Sequence, residues 1–414
     1  MKKRKNKALY PLTALILVMA MVLSACGSAA GAGSAGSTPA AENASTQTRA
    51  EQTKTDGSLS TDKKISSALS FQSEDKLDYA KHFSIYRYEN GYTLINITDG
   101  SRYLVVPEGA SEPPDLDKDI VPLHQPAEHT YLAASAVMDM FVKMNAVDSI
   151  DFSGESEDKW YIPEAAAAMK AGKLKYAGKY NIPDYEQLLD GQCSLAIEST
   201  MILHSPDVRE KLMETGIPVL VDHSSYESSP LGRTEWIKVY GVITGHEKEA
   251  EKAYQSQKKQ FESSVSKSSG KDGPTVAYFS INSNGAASVR KTSDYVPAMI
   301  SFAGGRYLPD DLTDGKLTST TTMQMEEFYK RAHKADILIY NSAIEGQISS
   351  IDDLLKKAPS LKNFKAVKEG NVWCTSRDMY QSSMEAGTIT SDFHSIITDQ
   401  KVSDKKLTYF KRLK

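Results

Sequence analysis

The chain changes texture several times along its length, and each change predicts a different element. Lys2, Lys3, Arg4, Lys5 and Lys7 stand before an apolar run over residues 8–23 that only Pro11 and Thr13 interrupt. From Gly27 to about Ser73 the residues are small and polar with scattered charges, and Pro39 is the single proline. Such a stretch has too little apolar surface to offset its ordering entropy and predicts a flexible tether. Apolar and polar residues then alternate through residues 83–88, 92–97 and 102–106, with Asn90-Gly91 and Asp99-Gly100 between the runs. Asn-Gly or Asp-Gly between alternating runs signals a hairpin, so residues 83–106 predict an antiparallel meander.

Beyond Pro126 the period lengthens to that of helices between short apolar strands. Met138, Phe141, Val142 and Met144 fall on or near one face of a helix over 133–144. Residues 149–152, 194–197 and 217–221 read as strands. Pro163 opens a helix from its first turn, Asp184 caps another that ends before Gly191, and Ser205-Pro206 starts a third that stops at Gly216. Strand–helix alternation with runs this short implies a parallel sheet covered on both faces. Residues 247–267 differ, being long, charged and free of Gly and Pro, with a thin stripe of Ala250, Ala253, Tyr254, Phe261 and Val265. A mostly polar helix of this length bridges two bodies rather than filling a core. A second alternating set follows: strands at 275–281, 337–340 and 372–374, and helices at 296–302, 322–333, 351–355 and 391–397. The expected fold is α/β, with two α/β lobes joined by a single long backbone helix, a ligand cleft between them and an extra N-terminal antiparallel β meander. The boundaries read as 1–25 leader, 26–75 tether, 76–245 first lobe, 246–270 bridging helix and 271–414 second lobe.

The N-terminal pattern of basic head, short apolar middle and small residues before the cut is that of a secretory signal peptide, too short to span a bilayer comfortably. Leu23-Ser24-Ala25-Cys26-Gly27 resembles a bacterial lipobox. That resemblance implies cleavage before Cys26, a diacylglyceryl thioether on it, and anchorage at the extracytoplasmic face of the cell membrane. The formal net charge of −4 becomes −9 once the five positive charges of the leader are removed. An acidic balance argues against nucleic acid as a partner. Cys193 and Cys374, the two cysteines left besides Cys26, sit in or beside apolar runs and read as small buried hydrophobes rather than a disulfide.

Ser225-Tyr-Glu-Ser-Ser-Pro-Leu-Gly-Arg-Thr-Glu-Trp-Ile-Lys-Val-Tyr-Gly241, Trp160-Tyr161, Tyr176-Ala-Gly-Lys-Tyr180, Ile197-Glu-Ser-Thr-Met201 and Ala303-Gly-Gly305, with the lipobox, the two lobes and the long helix, resemble the class III substrate-binding proteins of ABC importers. The resemblance covers about residues 120–398. It implies capture of a chelated metal, an iron(III)–siderophore complex first and cobalamin or haem second, by a monomer that delivers it to a permease dimer with its cytoplasmic ATPase. It implies no enzyme activity, no resident cofactor and no directly ligated metal. One glutamate per lobe is implied to dock on the permease: Glu186 and, in the matching frame, Glu326, with Glu327 as its rival. Ligand contacts are expected from loops at the carboxyl ends of the strands. On the first lobe these carry Tyr131, Trp160, Tyr161, Ser199, Met201, Tyr226 and Arg233; on the second, Arg290, Tyr295, Arg377 and Tyr380. The arginines suit carboxylate or catecholate oxygens. A zinc site built from His129, His204 and His223 lacks short ligand spacing. A cell-surface enzyme is disfavoured because Gly-x-Ser-x-Gly, a phosphate loop and His-Glu-x-x-His are all absent. A purely adhesive lipoprotein would not need two matched lobes.

Overall fold

The computed structural model describes residues 58–265, 272–313, 319–399 and 401–414. Cys26, the leader and most of the expected tether lie outside them. The first sheet holds β1 (Phe71–Glu74), β2 (Phe83–Tyr88), β3 (Thr93–Ile97) and β4 (Arg102–Val106) in antiparallel sequence, and β5 (Ile120–His124) joins β4 in parallel. The meander is therefore β2–β4 of a larger sheet. Asn90 and Gly91 take φ of 59° and 83° at its first turn, a region open to Asn and Gly at little cost. One face, with Phe83, Ile85, Ile95, Ile97, Tyr103 and Val105, joins the first lobe's core. The other face, with Tyr86, Tyr88, Leu94 and Leu104, is covered by Ile65 and Leu69. Packed chain thus begins inside the stretch read as tether, because two buried apolar residues disappear into a polar average.

The first lobe runs β6 (Thr130–Leu132), α1 (Met138–Lys143), β7 (Ile150–Ser153), α2 (Pro163–Lys170), β8 (Lys175–Tyr176), a ribbon of β9 (Gly178–Lys179) with β10 (Ile182–Pro183), α3 (Tyr185–Asp190), β11 (Leu195–Ser199), α4 (Pro206–Glu214) and β12 (Val219–Asp222). Its sheet order is β12-β11-β6-β7-β8, parallel throughout. Asp184 caps α3 by accepting from the Gln187 amide at 3.1 Å. Then come α5 (Pro230–Glu235), α6 (Ile237–Thr244) and the bridging helix α7 (Glu247–Ser264).

In the second lobe β13 (Thr275–Ile281) and β14 (Ala287–Arg290) precede α8 (Tyr295–Phe302), β15 (Arg306–Leu308) and β16 (Thr320–Met323). After α9 (Met325–Ala332) come β17 (Ile337–Tyr340), α10 (Ser342–Glu345), α11 (Ile351–Lys357), α12 (Lys365–Lys368), β18 (Val372–Thr375), α13 (Ala386–Thr398) and β19 (Phe410–Arg412). The sheet order is β16-β14-β13-β17-β18-β19, with β15 beside β13. The helix expected from Thr322 starts at Met325, since the β-branched run Thr320-Thr-Thr pairs with β14 as an edge strand. The last helix begins earlier than expected, at Ala386, and β19 closes the sheet against β18.

The bridging helix is clasped at both ends. A Cβ on Gly241 of α6 would lie 2.6 Å from the Ala250 Cβ, and one on Gly387 of α13 would lie 2.9 Å from the Phe261 amide nitrogen. Only glycine permits such close backbone approach. Gln260 Nε2 donates to Thr388 Oγ1 at 2.7 Å beside the second contact. A helix gripped by each lobe through its backbone leaves little play at the joint.

Candidate ligand cleft

Two clusters of side chains meet between the lobes. At the first, Tyr161, in the turn before α2, faces Tyr380, in the turn after β18, edge to face with centroids 6.4 Å apart. The Arg377 guanidinium lies 5.5 Å from the Tyr161 ring. Gln381, fully buried, spans the gap: its Oε1 accepts from the Tyr161 amide at 2.8 Å and its Nε2 donates to the Lys159 carbonyl and Tyr380 Oη at 3.0 Å each. Both turns follow the carboxyl ends of parallel strands, β7 and β18, where open α/β sheets place ligands. Burial raises the pKa of Glu155, just beyond β7, against the pull of Lys179 and Lys159.

The second cluster lies deeper. The Arg233 guanidinium of α5 stands 4.5 Å over the Tyr295 ring, and that of Arg290, at the end of β14, is 6.0 Å from the same ring. Arg290 Nη1 reaches Asp294 at 3.4 Å, and Asp294 caps α8 by accepting from the Val296 amide at 2.9 Å. Burial works against the Arg290 charge, yet Asp294 and nearby tyrosines hold its pKa above the ordinary value. Arg233 Nη2 approaches the Tyr380 carbonyl at 3.5 Å and so joins the two clusters, while its Nε is buried with no partner among the described residues. Beside Arg233 and Tyr295 a cavity of about 20 Å³ is lined by Met299, Met379 and Ile389.

Six of the eleven expected contact residues are thereby brought together: Tyr161, Arg233, Arg290, Tyr295, Arg377 and Tyr380. The other five stand elsewhere. Tyr131 is buried in the outer core of the first lobe and donates to the Gly178 carbonyl at 3.1 Å. Trp160 packs inward with its indole N–H on Ser153 Oγ at 3.0 Å. Ser199 caps a short turn by accepting from the Met201 amide at 3.3 Å, and Met201 is 47 % exposed. Tyr226 packs edge-on against the rings of His82 and His223. A strand or turn sends neighbouring side chains to opposite sides, so proximity to a strand end does not by itself aim a residue at the cleft. Gln381 belongs to the turn of Arg377 and Tyr380, one of the loops expected to carry contacts, but no sequence signal singles it out. Asp294 had one, a capping residue just before the apolar run of α8.

Behind these clusters the second lobe is stitched to the first. Ser383 Oγ donates to the Ala136 carbonyl at 2.7 Å, the Met384 amide donates to Asp139 at 2.8 Å, and Glu385 pairs with Lys143 at 2.8 Å. The Met384 side chain lies in the first lobe's core. Burial pushes Asp139 up to about 6, with the Met384 amide and Lys143 pulling the other way and Glu385 and Glu164 adding to the rise. The folded protein therefore holds this proton more tightly than the unfolded chain, which titrates near 3.8. The stability it contributes is full below that value and is lost as pH rises through about 6. Asp139→Asn is expected to gain about 1–3 kcal/mol on the wild type between pH 4 and pH 7. Denaturation midpoints at the two pH values check this, and an equal difference at both would refute it.

Glu186 is exposed in the first turn of α3 and Glu326 in the first turn of α9. Glu327 is tied to Arg331 at 2.5 Å, and Arg331 also pairs with Asp311. His129 pairs with Asp151 at 2.6 Å, His223 is buried 3.5 Å from Asp99, and no group of three metal-ligating side chains occurs among the described residues. Cys193 and Cys374 are buried and free, one in each lobe.

The family model described as periplasmic binding protein matches residues 146–378, from just after α1 to the residue following Arg377 of the first cluster. The chain belongs to that family. Its members are substrate-binding proteins rather than enzymes; they bind small ligands and work with ABC transporter permeases. Two uncharacterized lipoproteins of Methanocaldococcus jannaschii are similar: one is 23% identical over 366 residues, covering 81% of this chain and 84% of its own, and the other 25% identical over 359 residues, covering 81% and 86%. Among solved structures, a periplasmic binding protein of Veillonella parvula matches with TM-score 0.54 and 18% identity, over 67% of this chain and 93% of that one. A possible iron-binding, periplasmic solute-binding protein of Staphylococcus epidermidis matches with TM-score 0.50 and 17% identity, over 67% and 100%. The periplasmic heme-binding protein of Vibrio cholerae matches with TM-score 0.50 and 18% identity, over 64% and 98%. These likenesses establish the two-lobe binding-protein fold.

Proposed function

We propose that this binding protein captures an anionic metal chelate, an iron(III)–siderophore complex, between its lobes and delivers it to an ABC permease from a lipid anchor on Cys26. The observation that carries the ligand class is the convergence of Arg233, Arg290 and Arg377 on aromatic rings, with Asp294 as the carboxylate among them. Planar guanidinium groups pair with carboxylate or catecholate oxygens in two-bonded fashion, and tyrosine faces offer flat apolar contact to a chelate. The same fold serves the possible iron-binding protein and the heme-binding protein named above, in keeping with this ligand class.

Intrinsic tryptophan fluorescence titrated with ferric catecholate and hydroxamate siderophores, haem and cobalamin tests the reading. A saturable change with a ferric chelate, weakened about tenfold or more in Arg233→Ala, is expected, since losing a charge-assisted contact in a buried site costs at least one decade of affinity. Response to haem or cobalamin alone would move the ligand to those classes. Silence across the panel would overturn the chelate reading.

A further inference from the structure

We propose that ligand enters by local opening of a gate formed by Tyr161, Arg377 and Tyr380 and pinned by Gln381, while the lobes behind the gate stay welded. The proposal rests on the reading of this cleft as the ligand site. The described cavity beside Arg233, about 20 Å³, is far below the roughly 300–1,000 Å³ of small-molecule sites. Something must move before a chelate fits.

The interlobe contacts fall into two layers of unlike strength. In the outer layer, neutral hydrogen bonds join one amide side chain to the Tyr161 amide and the Lys159 carbonyl. An edge-to-face tyrosine pair and an arginine against a ring complete it. Each is weak once water can replace it. The inner layer is different in kind. Met384, on a second-lobe segment, is buried in the first lobe's core, with Asp139 on its amide and Lys143 on Glu385. Pulling it out would empty a packed site and strand a buried carboxylate. The glycine contacts of α6 and α13 hold the bridging helix from both sides. Opening by rotation of whole lobes must break both layers; opening of the 377–381 turn breaks only the outer one.

Gln381 is thus a positioning residue. It touches both walls of the cleft, buries its own amide, and holds the turn that carries Arg377 and Tyr380. Arg233 reaches the Tyr380 carbonyl from below, so displacing the gate also frees the buried guanidinium to meet the ligand.

Two amides report the two layers: that of Tyr161, bonded to Gln381, and that of Met384, bonded to Asp139. Residue-resolved hydrogen exchange on the free protein needs no ligand. The Tyr161 amide is expected to show protection at least about tenfold below that of Met384, because local opening exposes one and not the other. Gln381→Ala should speed exchange at Tyr161 and leave Met384 unchanged. Equal protection at both amides, falling together in mild denaturant, would show the lobes parting as one body and overturn the gate; so would a Gln381→Ala variant with unaltered exchange at Tyr161. A failed ligand titration beside the expected exchange contrast would overturn the ligand reading and leave the gate standing.

Discussion

Glu235→Ala is expected to lower folding stability by about 3–5 kcal/mol, the cost of removing one side of a buried charged network. Glu235 is fully buried and accepts from the amides of Asp78, Tyr79 and Ala80 at 2.8–2.9 Å while pairing with Lys238 at 3.0 Å. Glu227, eight residues before it, accepts from the Lys81 and His82 amides at 3.0 Å and from the Trp236 indole at 3.1 Å. Two carboxylates of the Ser225–Gly241 motif thus satisfy five consecutive amides of an irregular strap, 78–82, which no ladder serves. The strap lies so close to α5 that a Cβ on Gly232 would stand 3.1 Å from the Tyr79 carbonyl oxygen. Asp78 continues the chain of contacts to α7 through Lys258 at 2.8 Å and Tyr254 at 3.3 Å, and the Lys258 bond holds its carboxyl below the usual range. Without Glu235, three donors and a lysine lose their common partner in the wall that supports the bridging helix. Urea denaturation measures the effect; a loss below about 1 kcal/mol would mean that water replaces the carboxylate easily. Glu235→Gln, which keeps one acceptor and drops the charge, should fall between.

The Glu186→Ala, Glu326→Ala double variant is expected to cut ligand uptake by about tenfold or more in a reconstituted importer, while ligand affinity of the isolated protein stays unchanged. An exposed ion pair is worth up to about 1 kcal/mol, so the loss of two together amounts to about one decade. Both glutamates are exposed at helix starts, one per lobe, and neither takes part in the cleft clusters. Glu327→Ala serves as the control, since its carboxylate is already held by Arg331 and is less available to a partner. The deficit should shrink in high salt, as screened rim charges steer less. A comparable uptake loss in Glu327→Ala, or a weakened ligand affinity in the double variant, would remove these residues from docking.

Much of the fold was readable because its signals are local. The parallel strands of the first lobe show as short apolar runs, Asp184 and Pro163 mark helix starts, and the charged, glycine-free α7 stands out as a strut. The motif around Glu227 and Glu235 was visible as a string of residues, but its role depends on a strap some 150 residues earlier, which no pattern in either segment announces. The same holds in part for β16, where three β-branched threonines lean toward strand but need the edge that β14 offers to form one.

Arginine and aromatic content near strand ends pointed to Tyr161, Arg233, Arg290, Tyr295, Arg377 and Tyr380, whose chemistry is distinctive at single residues. It pointed equally to Tyr131 and Trp160, which the fold turns into the core. By itself, then, the sequence determined the α/β class, the two lobes with their strut and the residue types able to meet an anionic ligand, since propensity, period and charge are properties of neighbours along the chain. Only the packed fold settles which of those residues face one another, that Met384 of one lobe sits in the core of the other, and that a neutral glutamine bridges Lys159 and Tyr161 to Tyr380. Such contacts depend on the direction of each side chain and on residues far away in sequence, which are set when the sheets and helices pack.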